Sequence, residues 1–262
     1  MGIAGTEVAK SAADMILTDD NFSTIVEAVH KGRDVFSNIR KTVYFLLVCN
    51  FSEIVIMLTA QLAGWGIPLT PIMLLLINVL GDGIPGMRLA YEKSDPRIMR
   101  RRPIGRNESI FAGLHFVIAQ QTIVFTVVSL AGYYIGAFVS LPGAYPPSLL
   151  TGQTMAFLVV GWTSILHVFT VRSRTSMFRR TLKDNIGIVY SAAGMIALFA
   201  LLVLIPPLTG VFGMCTLGGR QWLIAAALSL VPSAAAEIGK LISGNANSRK
   251  YKDRIVSHID LP

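Results

Sequence analysis

Residues 70–90 read TPIMLLLINVLGDGIPGMRLA, and before them residues 42–63 form another apolar run, TVYFLLVCNFSEIVIMLTAQLA. A helix needs about 20 mostly apolar residues to cross a bilayer, and both runs are long enough. Each nevertheless carries one acid near its middle, Glu53 in the first and Asp82 in the second. A carboxylate at the bilayer centre costs about 2.5–3.5 kcal/mol on insertion scales and marks an ion pathway by default. Each acid has an asparagine about one helical turn before it, Asn50 for Glu53 and Asn78 for Asp82, so each pair shares a helix face. Four oxygen-bearing side chains on two neighbouring helices are the raw material of a hard-cation site. Asn50, Glu53, Asn78 and Asp82 are therefore the candidate metal-binding residues. Polar groups that merely bind helices together explain a lone asparagine, but not two acids.

The second run has a further property. In GDGIPG, Gly81, Gly83, Pro85 and Gly86 crowd six positions. Glycine costs about 1 kcal/mol and proline about 3 in a helix interior, so the helix is expected to unwind around Asp82. Broken membrane helices occur where backbone carbonyls line a cavity or bind an ion.

Working outward, six stretches can span a bilayer: about 42–63, 70–90, 110–138, 150–171, 186–205 and 221–241. The chain of 262 residues is 53% hydrophobic and 15% charged, with a mean hydropathy of +0.59, which fits a membrane protein rather than a soluble domain. The loops alternate between GWGIPLTP, SLPGAYPPS and IPPLTGVFG on one side and basic segments on the other. Of the 23 Lys and Arg, only Arg220 falls on the first side, and Arg88 lies near the inner end of the second span. By the positive-inside rule both termini are cytoplasmic. The net charge of +8 thus reports topology, and nucleic acid is not an expected partner. RRRPIGR could bind anionic lipid, but the topology signal explains it without a ligand.

The first 41 residues differ. EVAKSAADM reads as a helix, MILTD as a short buried strand, and NFSTIVEAVHKGRDVFSNIRK as a helix running into the first span. Asp19, Asp20 and Asn21 are N-cap candidates, and Ile25, Val26, Val29, Val35, Phe36 and Ile39 form a partial apolar stripe. One strand and one helix bury no core alone, so this segment reads as the tail of a soluble domain. The expected fold is an all-α polytopic membrane protein, six transmembrane helices preceded by a short α/β tail, with domains at 1–41 and 42–262. Glu237, near the inner end of the sixth span, can reach the interface or pair with Lys240 and reads as structural. His167 and Ser164 read as hydrogen-bonded helix glue, as do His115, Gln120 and Gln121. Trp65, Tyr133, Tyr134 and Trp222 read as aromatic belts. Cys49 and Cys215 are not expected to pair. No Cys or His cluster suggests zinc or copper, and no phosphate-cradling motif occurs.

GTEVAKSAADMILTDDNFSTIVEAVHKGRDVFSNIRK closely resembles the end of the phosphorylation domain of P-type cation ATPases. VCNFSEI, LTPIMLLLINVLGDGIP and DPRIMRRRPIGRN resemble the fifth and sixth helices of the calcium-pump branch, bacterial and plasma-membrane type. The resemblance implies that the spans are the family's fifth to tenth helices, in a multi-pass protein of the bacterial plasma membrane. It implies Ca2+ as transported ion, with Asn50, Glu53, Asn78 and Asp82 as ligands by position. Gly81 stands where two-site pumps carry Thr, and Ser164 where they carry Glu, which implies one ion per cycle. ATP and Mg2+ would serve only the full-length or reassembled pump. DKTGT, TGE and TGDGVND are absent from the chain, so on its own it is not expected to hydrolyse ATP. Its partners would be the bilayer and an N-terminal part holding the actuator, nucleotide-binding and phosphorylation domains and four further spans. The chain therefore reads as a fragment of such a pump or one piece of a split one. A pump for Mn2+, Mg2+, Na+ or H+, or a non-catalytic six-span module or carrier, is the alternative.

Overall fold

The computed structural model describes residues 2–92, 98–100, 114–140, 142, 145–172 and 185–259, with side chains as far as residue 240. Helices account for all regular structure among them, and six are long and apolar enough to cross a membrane. After a short helix α1 (Glu7–Ser11) comes α2 (Phe22–Leu62), which contains the first span. The second span is composite: α3 (Pro71–Leu76), a π-helical segment (Ile77–Gly83) and α4 (Ile84–Ala90). The remaining spans are α5 (His115–Phe138), α6 (Leu149–Arg172), α7 (Ile186–Leu204) and the first part of α9 (Gly219–Ile259), with a short α8 (Pro206–Val211) preceding α9. Most of the basic segments EKSDPRIMRRRPIGRNE and RSRTSMFRRTLKDN, and the expected start of the third span at 110–113, lie outside the described residues.

The start of α2 follows from its polar residues. Asn21 is the N-cap, its side-chain oxygen accepting from the Ser23 N–H at 3.0 Å. The Thr24 hydroxyl donates to Asp19 at 2.6 Å and, with the Asn21 N–H, holds the Asp19 carboxyl below the usual carboxylate range. From there α2 runs 41 residues without interruption into the membrane. The apolar stripe on its first half is largely uncovered, with Val26, Val29, Val35 and Ile39 exposed. The strand expected at MILTD does not form: residues 15–17 are irregular, and only Leu17 is buried. A strand needs a neighbour to pair with, and the one backbone bond here is Gly2 N–H to Leu17 O at 2.7 Å. At the far end of α2, Gly64 and Gly66 adopt positive φ (69° and 89°), which turns the chain into the second span.

α6 is the centre of the bundle. Its most apolar window is 89% buried, against 22–44% in the other spans. α5 and α6 meet through glycines, as membrane helices do where backbones approach closely. A β-carbon at Gly152 would stand 2.7 Å from Ala137 Cβ and 2.8 Å from the Tyr133 carbonyl oxygen. At the outer end, neutral hydrogen bonds tie neighbouring segments. Tyr133 Oη donates to Trp65 O at 2.6 Å, Gln153 Nε2 to Ile67 O at 2.8 Å, and Gln221 Nε2 to Tyr145 O at 3.2 Å. Tyr133 is therefore fully buried rather than part of an aromatic belt. Lys240 Nζ meets Glu237 at 2.7 Å, the second of the two arrangements open to Glu237, and both cysteines are free thiols.

Candidate functional site

The expected unwinding around Asp82 takes another form. The helix stays wound but widens into a π turn that carries Asn78, Gly81 and Asp82. Pro85 has no N–H for the α-type bond to the Gly81 carbonyl, so that register cannot close there. α-Helical geometry resumes at Ile84. Single π turns of this kind concentrate at functional sites.

Three of the four candidate residues come together. Asn78 Nδ2 donates to Glu53 Oε2 at 2.8 Å and to its own-helix Leu74 O at 3.0 Å, which fixes the Glu53 carboxylate from across the helix pair. Glu53 Oε1 and both carboxylate oxygens of Asp82 are buried without a hydrogen-bond partner among the described residues. Asp82 is 1% exposed, close enough to Glu53 for their charges to interact, and flanked by Cys49 and Ser164. Two carboxylates, one amide oxygen and the carbonyls of a distorted helix make an oxygen-rich donor set, suited to a hard cation. Among the described residues no group of three or more His, Cys, Asp and Glu is placed to hold a metal ion. Oxygens other than carboxylates would have to complete any shell.

Asn50 is the exception. It is exposed, and its amide donates to Leu46 O of its own helix at 2.8 Å. It stands on the outer flank of α2 and not in the cluster.

The structure adds two residues that sequence reading missed. Cys49, at i−4 from Glu53, faces Asp82 where Asn50 was expected. Phe199 of α7 fills the notch at the two glycines beside the site. A β-carbon at Gly81 would lie 3.2 Å from its ring, and one at Gly161 would run into that ring. His167 is not hydrogen-bonded glue. Its ring is packed by Tyr44, Phe45 and Phe125 at centroid distances of 5.7, 6.0 and 5.0 Å, and neither nitrogen has a hydrogen-bond partner among the described residues.

Six helices long and apolar enough to cross a membrane, with two buried acids among them, define a multi-pass membrane protein. Residues 66–242 match the family described as "Cation transporting ATPase, C-terminus". The chain is 38% identical over 256 residues to Calcium-transporting ATPase 1 of Bacillus cereus (strain ATCC 10987 / NRS 248), covering 94% of this chain and 29% of that protein. It is 34% identical to Calcium-transporting ATPase of Bacillus subtilis (strain 168), covering 95% of this chain and 27% of that one. With the plasma-membrane-type Calcium-transporting ATPase 10 of Arabidopsis thaliana the identity is 31%, covering 92% of this chain and 23% of that one. The chain belongs to the cation-transporting ATPase family, corresponds to its C-terminal membrane region, and spans less than a third of the length of these relatives.

Proposed function

We propose that the chain is the membrane part of an ATP-driven calcium pump, and that Asp82, Glu53 and Asn78 form part of its transport site. The observation that carries this reading is the pair of unpartnered Asp82 oxygens, buried next to Glu53 on a π-distorted helix. Burying such charges is costly unless a cation compensates them. Asn78 holds Glu53 in position, and Asp82 has both oxygens to offer. Asn50, on the outer flank, would contribute only through a helix supplied from outside these 262 residues.

The Phe199 ring against Gly81 and Gly161 supports one ion per cycle, because the space a ligand side chain at position 81 would need is taken. ATP and Mg2+ would act in the N-terminal part of the complete pump. The continuous helix from Phe22 to Glu53, about 45 Å at 1.5 Å per residue, is the physical link from there to the site. The basic loops support a bacterial plasma-membrane protein with both termini on the cytoplasmic side. Calcium-dependent phosphorylation from ATP, measured on the complete pump, tests the reading. Asp82→Asn should abolish the calcium dependence. Unchanged dependence, or a response to Mn2+, Mg2+ or Na+ but not Ca2+, would overturn the assignment.

A further inference from the structure

At the end of the bundle that carries the basic loops, Glu92 lies two residues beyond α4, and its side chain is fully buried. Three helices hold it. Arg172, the last residue of α6, donates from Nε to Glu92 Oε1 at 2.7 Å, with only 4% of its own side chain exposed. Asn185 Nδ2 donates to Glu92 Oε2 at 3.0 Å. Asn185 is the N-cap residue of α7, yet its side chain makes no cap bond, so the usual role of an N-cap asparagine is given up for this contact. Asn38 of α2 donates to the Glu92 main-chain oxygen at 2.8 Å and to Ala90 O at 3.2 Å, satisfying carbonyls freed at the end of α4.

A buried ion pair is weak evidence for stability, since apolar replacement of both partners is often neutral or better. Its position says more. Asp82 lies ten residues before Glu92, on a segment that Gly81, Gly83, Pro85 and Gly86 leave with little stiffness of its own. Where Asp82 stands is therefore set by what holds the segment's ends. Arg172 belongs to the helix that brings Ser164 to Asp82, about 12 Å away along the axis. We propose that Glu92 is a positioning residue: clamped by Arg172 and Asn185, it pins the inner end of the second span to α6 and α7 and so fixes Asp82 in the bundle. Asn38 hooks the pinned end to the long helix α2. The significance for transport rests on the reading of Asp82 as an ion ligand, but the positioning itself can be measured without an ion.

The chain's two cysteines are the reporters. Cys49 is buried against Asp82, whereas Cys215 sits half-buried at the outer end beside Thr154. In calcium-free buffer the purified chain is alkylated with N-ethylmaleimide, and the rate at each cysteine is read by mass spectrometry. Asn185→Ala leaves the ion pair intact and strands no charge, so it is the milder variant. It should raise the ratio of Cys49 to Cys215 labelling about threefold, as one buried hydrogen bond is lost. Arg172→Met, which removes this ion pair, should raise it about tenfold or more, and Arg172→Lys should stay nearer the parent. A ratio unmoved in Asn185→Ala and Arg172→Met overturns the proposal. So does a rise of both cysteines in step in Asn185→Ala, the mark of general loosening. Because no calcium is present, failure of the calcium assignment would leave this result standing.

Discussion

Glu53 and Asp82 have unequal parts in the site. Among the described residues, Glu53 has one oxygen held by Asn78 at 2.8 Å and one unpartnered, while both Asp82 oxygens are unpartnered. Asn78 is thus the residue that orients a ligand. Orienting partners of metal ligands typically cost 10–100-fold in affinity when removed, and Asn78→Ala should weaken calcium affinity by about that factor. Calcium titration of phosphoenzyme formation in the complete pump would show it. Asn50→Ala should change the thermal stability of the chain by no more than about 0.5 kcal/mol, as for surface substitutions in general. The two acids were legible in the sequence because carboxylates in apolar runs admit few explanations. The choice of Asn50 was not. Successive helical residues turn by about 100°, which puts i+4 nearer the same line than i+3. The buried face of α2 accordingly runs through Phe45, Cys49, Ser52, Glu53, Ile56 and Ala60 and passes Asn50 by.

At the scale of elements, the spans were readable because hydrophobic length specifies a membrane helix almost by itself. The form of the helix break was not, since GDGIPG says where α-helical bonding fails and leaves open whether the backbone unwinds or widens. The missing strand at MILTD has a similar cause: β-propensity needs a pairing partner, which lies at a distance in sequence if it exists at all. Close helix contact was also hidden, because glycines in a hydrophobic run look the same whether they face lipid or a neighbouring backbone. The structure resolves this at Gly152, where the obstacle to a side chain is partly backbone and cannot rotate away. Overpacking of this kind costs about 1–3 kcal/mol, and Gly152→Ala should destabilise the chain by that amount in thermal unfolding in detergent. Gly194→Ala, where a β-carbon meets nothing within 4 Å, is the control and should be close to neutral or slightly stabilising.

The whole molecule is chemically lopsided, and that asymmetry argues its orientation. At one end the segments are tied by neutral donors to backbone carbonyls, through Tyr133, Gln153 and Gln221. At the other end, ionic and basic ties join the neutral ones made by Asn38 and Asn185: Arg172 with Glu92, Lys240 with Glu237 and the Thr170 carbonyl, and Arg33 with Ile98 O at 3.1 Å. Charge was visible in the sequence as a count of Lys and Arg per loop, but the pairings that place some of it inside the protein were not. Both levels point the same way, because basic residues are retained on the cytoplasmic side during insertion. Alkaline phosphatase, active only after export, should therefore be active when fused after residue 66 or 142 and inactive after residue 92 or 240. Green fluorescent protein fused at the same positions should give the reverse pattern. The opposite result for both reporters would invert the bundle. It would put the long first half of α2 on the outer face, where no ATP-driven domain could act on it.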